Sequence, residues 1–240
     1  MGVTVKIQAS RGDGAFDAYV ASPDSAPRAA IIVIQEIFGV NPGIRSKCDA
    51  LADAGYLAVA PDLFWRTEPG IQLDPDVEAE MARALSFVGP YFASDGPTKT
   101  IYDIEDVIHA IRRGILGVDA VAKVGCVGYC LGGFLAYLTA CRTDIDASVG
   151  YYGVNIDKTL DAARAIARPL MLHIPTADHF VTPDAQAAMH AGLDGNAHVT
   201  LHDYPGLDHG FATQTGKRRD TEGADLADSR TAAFFAEHLA

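Results

Sequence analysis

Six short, largely apolar runs alternate with helix-patterned stretches along most of this chain, and that alternation limits the folds open to it. The runs are Ala29 to Ile34, Leu57 to Ala60, Val121 to Val127, Ala147 to Tyr151, Leu170 to Ile174 and Val199 to Tyr204. Strands that read as continuous apolar runs are buried on both faces, the pattern of a mostly parallel sheet with helices on both sides. The helical periods are clearest at Ile44 to Ala54, Tyr102 to Leu116, Phe134 to Cys141 and Ala224 to Leu239. Two more β-prone runs, Thr4 to Ile7 and Ala15 to Val20, flank Arg11-Gly12-Asp13-Gly14 and predict an N-terminal antiparallel hairpin. Between Phe64 and Pro97, Pro and Gly pairs punctuate one expected helix, Asp76 to Phe87, in an excursion over the top of the sheet. The expected class is α/β, as a single domain over residues 1–240, a length one such domain accommodates.

Charge narrows the partners. With 31 acidic and 19 basic side chains, the net charge of -12 repels phosphate backbones and anionic membranes, so neither nucleic acid nor a membrane surface is an expected partner. The N-terminal residues lack a basic region followed by an apolar stretch, and no run approaches the ~18 apolar residues of a membrane span. Four cysteines in a chain this long make no disulfide framework, which suits a reducing, cytoplasmic setting.

The most specific segment is Val124-Gly125-Cys126-Val127-Gly128-Tyr129-Cys130-Leu131-Gly132-Gly133-Phe134. An apolar strand runs into Gly-x-Cys-x-Gly and then into a helical pattern, the arrangement of an α/β-hydrolase nucleophile elbow with cysteine in the serine position. Small residues let the chain turn sharply, and the positive end of the following helix favours a thiolate at Cys130 over a thiol. Cys126, inside the strand, and Cys48 and Cys141, on helices, are expected to be structural.

A thiol nucleophile needs a base, and the base an orienting acid, in the chain order nucleophile, acid, histidine. Asp178 follows the run Leu170 to Ile174, and His209 follows Val199 to Tyr204 in a loop with Gly206 and Gly210, so these two complete the expected set. Their neighbours His179 and Asp208 are the rivals. His109, His190 and His238 fall in helical stretches and are expected at the surface, whereas His173, His198 and His202 lie on or beside strands as packed or edge residues. No His or Cys spacing matches a metal site, so no metal is called for. The run Ile31 to Ile34 ends in Gln35-Glu36-Ile37-Phe38-Gly39, which encloses the Glu36 carboxylate in apolar residues, where it can exchange a proton with Cys130. Backbone N–H groups of Ile37, after that strand, and of Leu131, after the nucleophile, are the expected oxyanion-hole donors.

Gln-Glu-Ile-Phe-Gly, Gly-Tyr-Cys-Leu-Gly-Gly, the Asp178-His179-Phe180 segment and His209 together resemble the dienelactone hydrolase, or carboxymethylenebutenolidase, family over nearly the whole chain. The resemblance implies a cofactor-free, monomeric α/β-hydrolase that opens lactones through an acyl-cysteine in aromatic degradation. It implies that Glu36 activates Cys130 while His209, held by Asp178, handles protons for the leaving group and the deacylating water. It also points to Tyr151, Tyr152 and Phe38 as substrate-binding residues. The family holds its substrate carboxylate with two arginines, whereas here Met81 and Thr213 stand at those places, with Arg83 nearby. The expected substrate is therefore a small ester or lactone more neutral than the family's namesake. The alternatives are acyl transfer by the same cysteine, or a non-catalytic binding module on the same fold.

Overall fold

Alternation of buried and outward side chains sets the first pairing. The computed structural model describes residues 2–11 and 14–240, and in it β1 (Val3–Gln8) runs antiparallel to β2 (Ala15–Ala21), with Val3 opposite Val20 and Gln8 opposite Ala15. Phe16, Ala18 and Val20 are buried while Asp17 and Tyr19 lean outward, the period of two of a half-buried strand. The expected hairpin is present, with Gly12 and Asp13 of its turn outside the described residues.

The chain divides into two compact units, Met1–Val124 and Gly125–Ala240. In the first, the strand order is β1-β2-β4-β3, where β4 (Leu57–Pro61) lies antiparallel to β2 and parallel to β3 (Ala30–Ile34). Every residue of β3 and β4 is buried, as their unbroken apolar runs require. Each such Val, Ile or Leu contributes about 1.5–3 kcal/mol through burial.

Helix α1 (Pro42–Asp53) begins where Asn41 accepts a hydrogen bond from the Ile44 N–H at 3.1 Å and proline occupies the first turn. Helix α2 (Glu78–Ala93) overruns its expected end at Phe87 and passes through Pro90. Proline's φ is already helical, and one lost ladder bond is tolerable in a helix that buries only Ala84 and Tyr91. Tyr91 anchors it, its hydroxyl 2.7 Å from that of Thr100 on α3 (Gly96–Arg112). Asp103 of α3 holds the excursion down, accepting from Arg66 at 2.5 and 2.9 Å and from the Trp65 indole at 3.0 Å. This bidentate pair is the strong kind of charge-assisted contact.

In the second unit β5 (Val124–Tyr129), β6 (Ala147–Tyr151), β7 (Leu170–Pro175) and β8 (Val199–Tyr204) follow one another in spatial order, all parallel. The first three are buried throughout. The expectation of two-sided burial fails for β8, of which only Tyr204 is buried. As the last strand in the order it has a solvated side, and Thr200, His202 and Asp203 interrupt its apolar residues accordingly. Helix α4 (Leu131–Arg142) is buried along all but its last residue, α5 (Pro183–Leu193) is capped by Thr182, and α6 (Thr221–His238) packs on β6 and β7. A 3₁₀ segment, Ile156–Ala165, has no counterpart in the sequence expectations. Among the described residues no helix is long and apolar enough to cross a membrane.

Candidate active site

The sharpest bend in the second unit lies between β5 and α4. Cys130 takes φ 57° and ψ −115°, a conformation L-residues rarely hold, and its strain is borne by contacts on both sides. Its N–H donates to the Tyr151 carbonyl at 3.0 Å, and its carbonyl accepts from the Phe134 N–H at 3.2 Å. The bend closes only because residue 128 lacks a side chain: a Cβ there would sit 1.9 Å from the Gly132 carbonyl oxygen. Likewise a Cβ on Gly133 would lie 2.4 Å from the Tyr151 carbonyl oxygen. Gly128→Ala is therefore expected to destabilise the protein by about 3 kcal/mol, the upper end of overpacking costs. That corresponds to a Tm lower by roughly 6–12 °C in a chain of this size. Thermal unfolding that matched the parent protein would show that the elbow does not need this approach.

Leu131 is the first helical residue after Cys130, so its N–H has no carbonyl one turn back to bond and points with the helix's positive end. Cys130 is half-buried, whereas Cys48, Cys126 and Cys141 are buried free thiols. Burial pushes the Cys126 thiol up to about 12 and the Cys141 thiol up to about 11, which keeps both protonated and inert.

Asp178 and His209 come from the loops after β7 and β8 and meet in the interior. The His209 Nδ1 lies 2.9 Å from Asp178 Oδ2, and the two residues are 2% and 5% exposed. Asp178 Oδ1 is fixed in turn by the Phe180 N–H at 2.8 Å and the Val181 N–H at 3.2 Å. With Nδ1 committed, only Nε2 of His209 can face a nucleophile. It has no hydrogen-bond partner among the described residues. Burial opposes a charge on His209, but Cys130 first and then Asp178 outweigh it, and the imidazole is pushed up to about 10. The structure thus pairs the Asp178 carboxylate with the His209 imidazole, and the Cys130 sulfur is near enough to act on that ring's charge.

The rival residues pair with each other instead. His179 Nδ1 and Asp208 Oδ1 are 2.7 Å apart at the surface, and the same oxygen accepts the His209 backbone N–H at 2.6 Å. Asp178, His179 and Asp208 each bring a ligand atom within 4.8 Å of the others, a grouping that could hold a cation. Asp178 is a poor member of it, since its oxygens already serve His209 and two backbone amides.

Tyr152 is buried with φ 40° and sets its ring 4.9 Å from His209. Tyr151, expected against substrate, is fully buried and turns its hydroxyl to Asp228 and Thr231 of α6. Thr213 is buried, and its hydroxyl has no hydrogen-bond partner among the described residues. The nearby Arg219 is engaged, donating to the Thr213 carbonyl and pairing with Asp225, both at 2.9 Å. Sequence reasoning does not single out Phe180 as a site residue. Its ring lies 4.7 Å from His209 and is 51% exposed, so it adds an apolar surface beside the imidazole. Its place two residues after a loop carboxylate was the available signal.

The remaining expected residues belong to the first unit. Glu36, Ile37 and Phe38 follow β3 directly, all three buried. The Glu36 carbonyl accepts from the Gln35 side chain at 3.2 Å, and the Phe38 carbonyl accepts from the Leu73 N–H at 2.9 Å. Gly39 (φ 76°) lets the Ile71 carbonyl approach where a Cβ would sit 1.8 Å away. Met81 is half-buried on α2, and Arg83 is tied to Glu68 at the surface.

Strands of this order, joined by these helices and bearing a strained cysteine at a strand–helix bend, define an α/β-hydrolase fold. A solved candidate dienelactone hydrolase from Klebsiella pneumoniae superposes with a TM-score of 0.80 at 26% identity, covering 99% of both chains. The model of the dienelactone hydrolase family matches residues 16–239. A candidate carboxymethylenebutenolidase of Azospirillum brasilense is 42% identical over 95% of each chain, and carboxymethylenebutenolidase 1 of Cupriavidus pinatubonensis is 37% identical over 95% of this chain and 94% of its own. The chain belongs to the dienelactone hydrolase family, and this membership marks it as a hydrolase.

Proposed function

We propose that this chain is a cytoplasmic, monomeric hydrolase that cleaves small carboxylic esters or lactones through an acyl-cysteine intermediate. The observation that carries the reading is the buried His209 imidazole, paired through Nδ1 with the Asp178 carboxylate and favoured in its charged form by the Cys130 sulfur. The family model runs unbroken through both compact units, which supports treating them as one functional domain.

In the proposed cycle Glu36 takes the thiol proton and the Cys130 sulfur attacks the substrate carbonyl carbon. The N–H groups of Leu131 and Ile37 receive the developing oxyanion. The carbon–oxygen bond breaks as the His209 imidazolium gives its proton to the leaving alkoxide, and neutral His209 then takes a proton from water. The hydroxide so formed attacks the thioester, the acid leaves, and the thiolate recovers its proton from Glu36. Tyr152, Phe38, Met81 and Thr213 line the substrate's path in this reading.

Arg83 is committed to Glu68 and Arg219 to Asp225, while Thr213 offers only an uncharged hydroxyl, so no arginine pair of the family type is assigned to a substrate carboxylate. Each missing charge-assisted bond removes about 1.5–3 kcal/mol of recognition, or roughly tenfold or more in affinity. The chain is therefore expected to show a higher kcat/KM for a neutral lactone or ester than for its carboxylate-bearing analogue. A strong preference for the anionic lactone would remove the specificity reading. Product release that stops after one equivalent per enzyme, instead of continuing, would favour a binding module over a hydrolase.

A further inference from the structure

Beneath the elbow, the second unit carries a line of buried polar side chains that the proposed cycle does not use. Tyr151 of β6, His173 of β7, Tyr204 of β8 and Thr231 of α6 are each 8% exposed or less. Tyr151 Oη lies 2.9 Å from Asp228 Oδ1 and 2.6 Å from Thr231 Oγ1. Thr231 Oγ1 lies 3.0 Å from His173 Nε2, and His173 Nδ1 lies 2.7 Å from Tyr204 Oη.

The direction of every bond follows from one end. A carboxylate only accepts, so the Tyr151 hydroxyl donates its single proton to Asp228 and must itself accept from the Thr231 hydroxyl. Thr231 Oγ1 then accepts from His173, which fixes that ring's proton on Nε2 and leaves Nδ1 to accept from the Tyr204 hydroxyl. A neutral ring is what this pattern needs, and burial first, then His202 and Arg230, hold His173 well below the usual imidazole range. The Arg230 guanidinium lies over the Tyr204 ring, 5.4 Å from its centroid, so a cation stands at one end of the line and an anion at the other. Asp228, Arg230 and Thr231 all lie on α6, so the line runs from β8 through β7 to that helix at Thr231, out to β6 at Tyr151, and back to the helix at Asp228.

The same tyrosine carries the elbow. The Tyr151 carbonyl holds the Cys130 N–H, its ring lies 4.2 Å from that of His173 at a tilt of 38°, and the next residue is the strained Tyr152 against His209. Tyr152 is itself held by its N–H, which donates to the His173 carbonyl at 2.9 Å. We propose that the directed chain Tyr204–His173–Thr231–Tyr151–Asp228 is a positioning element that holds the Cys130 bend and the Tyr152 wall in register with His209, with Thr231 as its central link. This inference rests on the reading of Cys130 and His209 as nucleophile and base.

The test is Thr231→Val, which keeps shape and removes the hydroxyl, beside Thr231→Ser, which restores it. Misplacing a nucleophile by a fraction of an ångström is expected to lower kcat by about tenfold, with KM changed less than about twofold. The rate at which iodoacetamide alkylates native Cys130 should change in Thr231→Val and return in Thr231→Ser. In the parent protein, ¹⁵N NMR of His173 should show the proton on Nε2. If Thr231→Val does not fold, Tyr204→Phe removes the first donor and should move alkylation the same way. Unchanged kcat and alkylation per folded molecule, or a proton on Nδ1, overturns the proposal. Alkylation and tautomer are read without any substrate, so a failure of the hydrolase reading would appear separately, as turnover that survives Cys130→Ala.

Discussion

Cys130→Ala is expected to lower kcat by about 100,000-fold, the scale on which removing the nucleophile of an acyl-transfer set abolishes turnover. The fold should survive, because the substitution deletes one half-buried sulfur and adds no atom to the bend. The Tm should therefore stay close to that of the parent protein. The variant also probes the pair directly. Cys130 is the larger of the two influences raising the His209 pKa to about 10, so the imidazole of the alanine variant should titrate at lower pH. Following the His209 ring nitrogens by NMR across pH checks this. Turnover within tenfold of the parent would remove the acyl-cysteine mechanism, and an unmoved His209 titration would mean the sulfur and the imidazole do not interact.

Asp178→Asn is expected to lower kcat by about 1,000-fold or more through the tautomer of His209. The Asp178 Oδ2 that now accepts from Nδ1–H would become an amide that donates, which drives the imidazole proton to Nε2. With Nε2 protonated and neutral, His209 can neither accept a proton from water nor donate as an imidazolium. The remaining oxygen of asparagine can still accept from the Phe180 and Val181 N–H groups, so the loop should stay in place. Steady-state kinetics together with a circular dichroism melt separate the two effects. A rate loss that merely tracks loss of folded protein, or no loss at all, would count against an orienting role for Asp178.

The elbow illustrates how much of the site is local. Gly128, Cys130 and Gly132 fall within five residues, and the need for a tight approach between strand and helix can be read from their spacing. The loops bearing Asp178 and His209 are likewise marked by their positions just after apolar runs. Helix starts at Asn41-Pro42 and Thr182-Pro183 carry their caps in plain view. The polar residues of β8 were equally visible, although grouping it with the buried runs hid the solvated side that its place at the end of the strand order provides. Pro90 reads as a stop signal, but a peripheral helix can lose one ladder bond and continue.

Tyr151 shows the other case. Its position beside a strand end suggests contact with substrate, yet its hydroxyl meets a threonine 80 residues away and its ring a histidine on the neighbouring strand. His173 reads as a packed residue, and nothing near it names Tyr204 or Thr231, 31 and 58 positions further on, as its partners. Local periodicity and turn chemistry depend on side chains a few residues apart, so the amino-acid sequence alone determined the strands, most helices, the cysteine elbow and the order of acid and imidazole. Directed hydrogen bonds between distant residues depend on strand order and on how α6 crosses the sheet. Only tertiary structure could therefore decide which tyrosine faces His209, which one supports the elbow from beneath, and that Phe180 borders the imidazole.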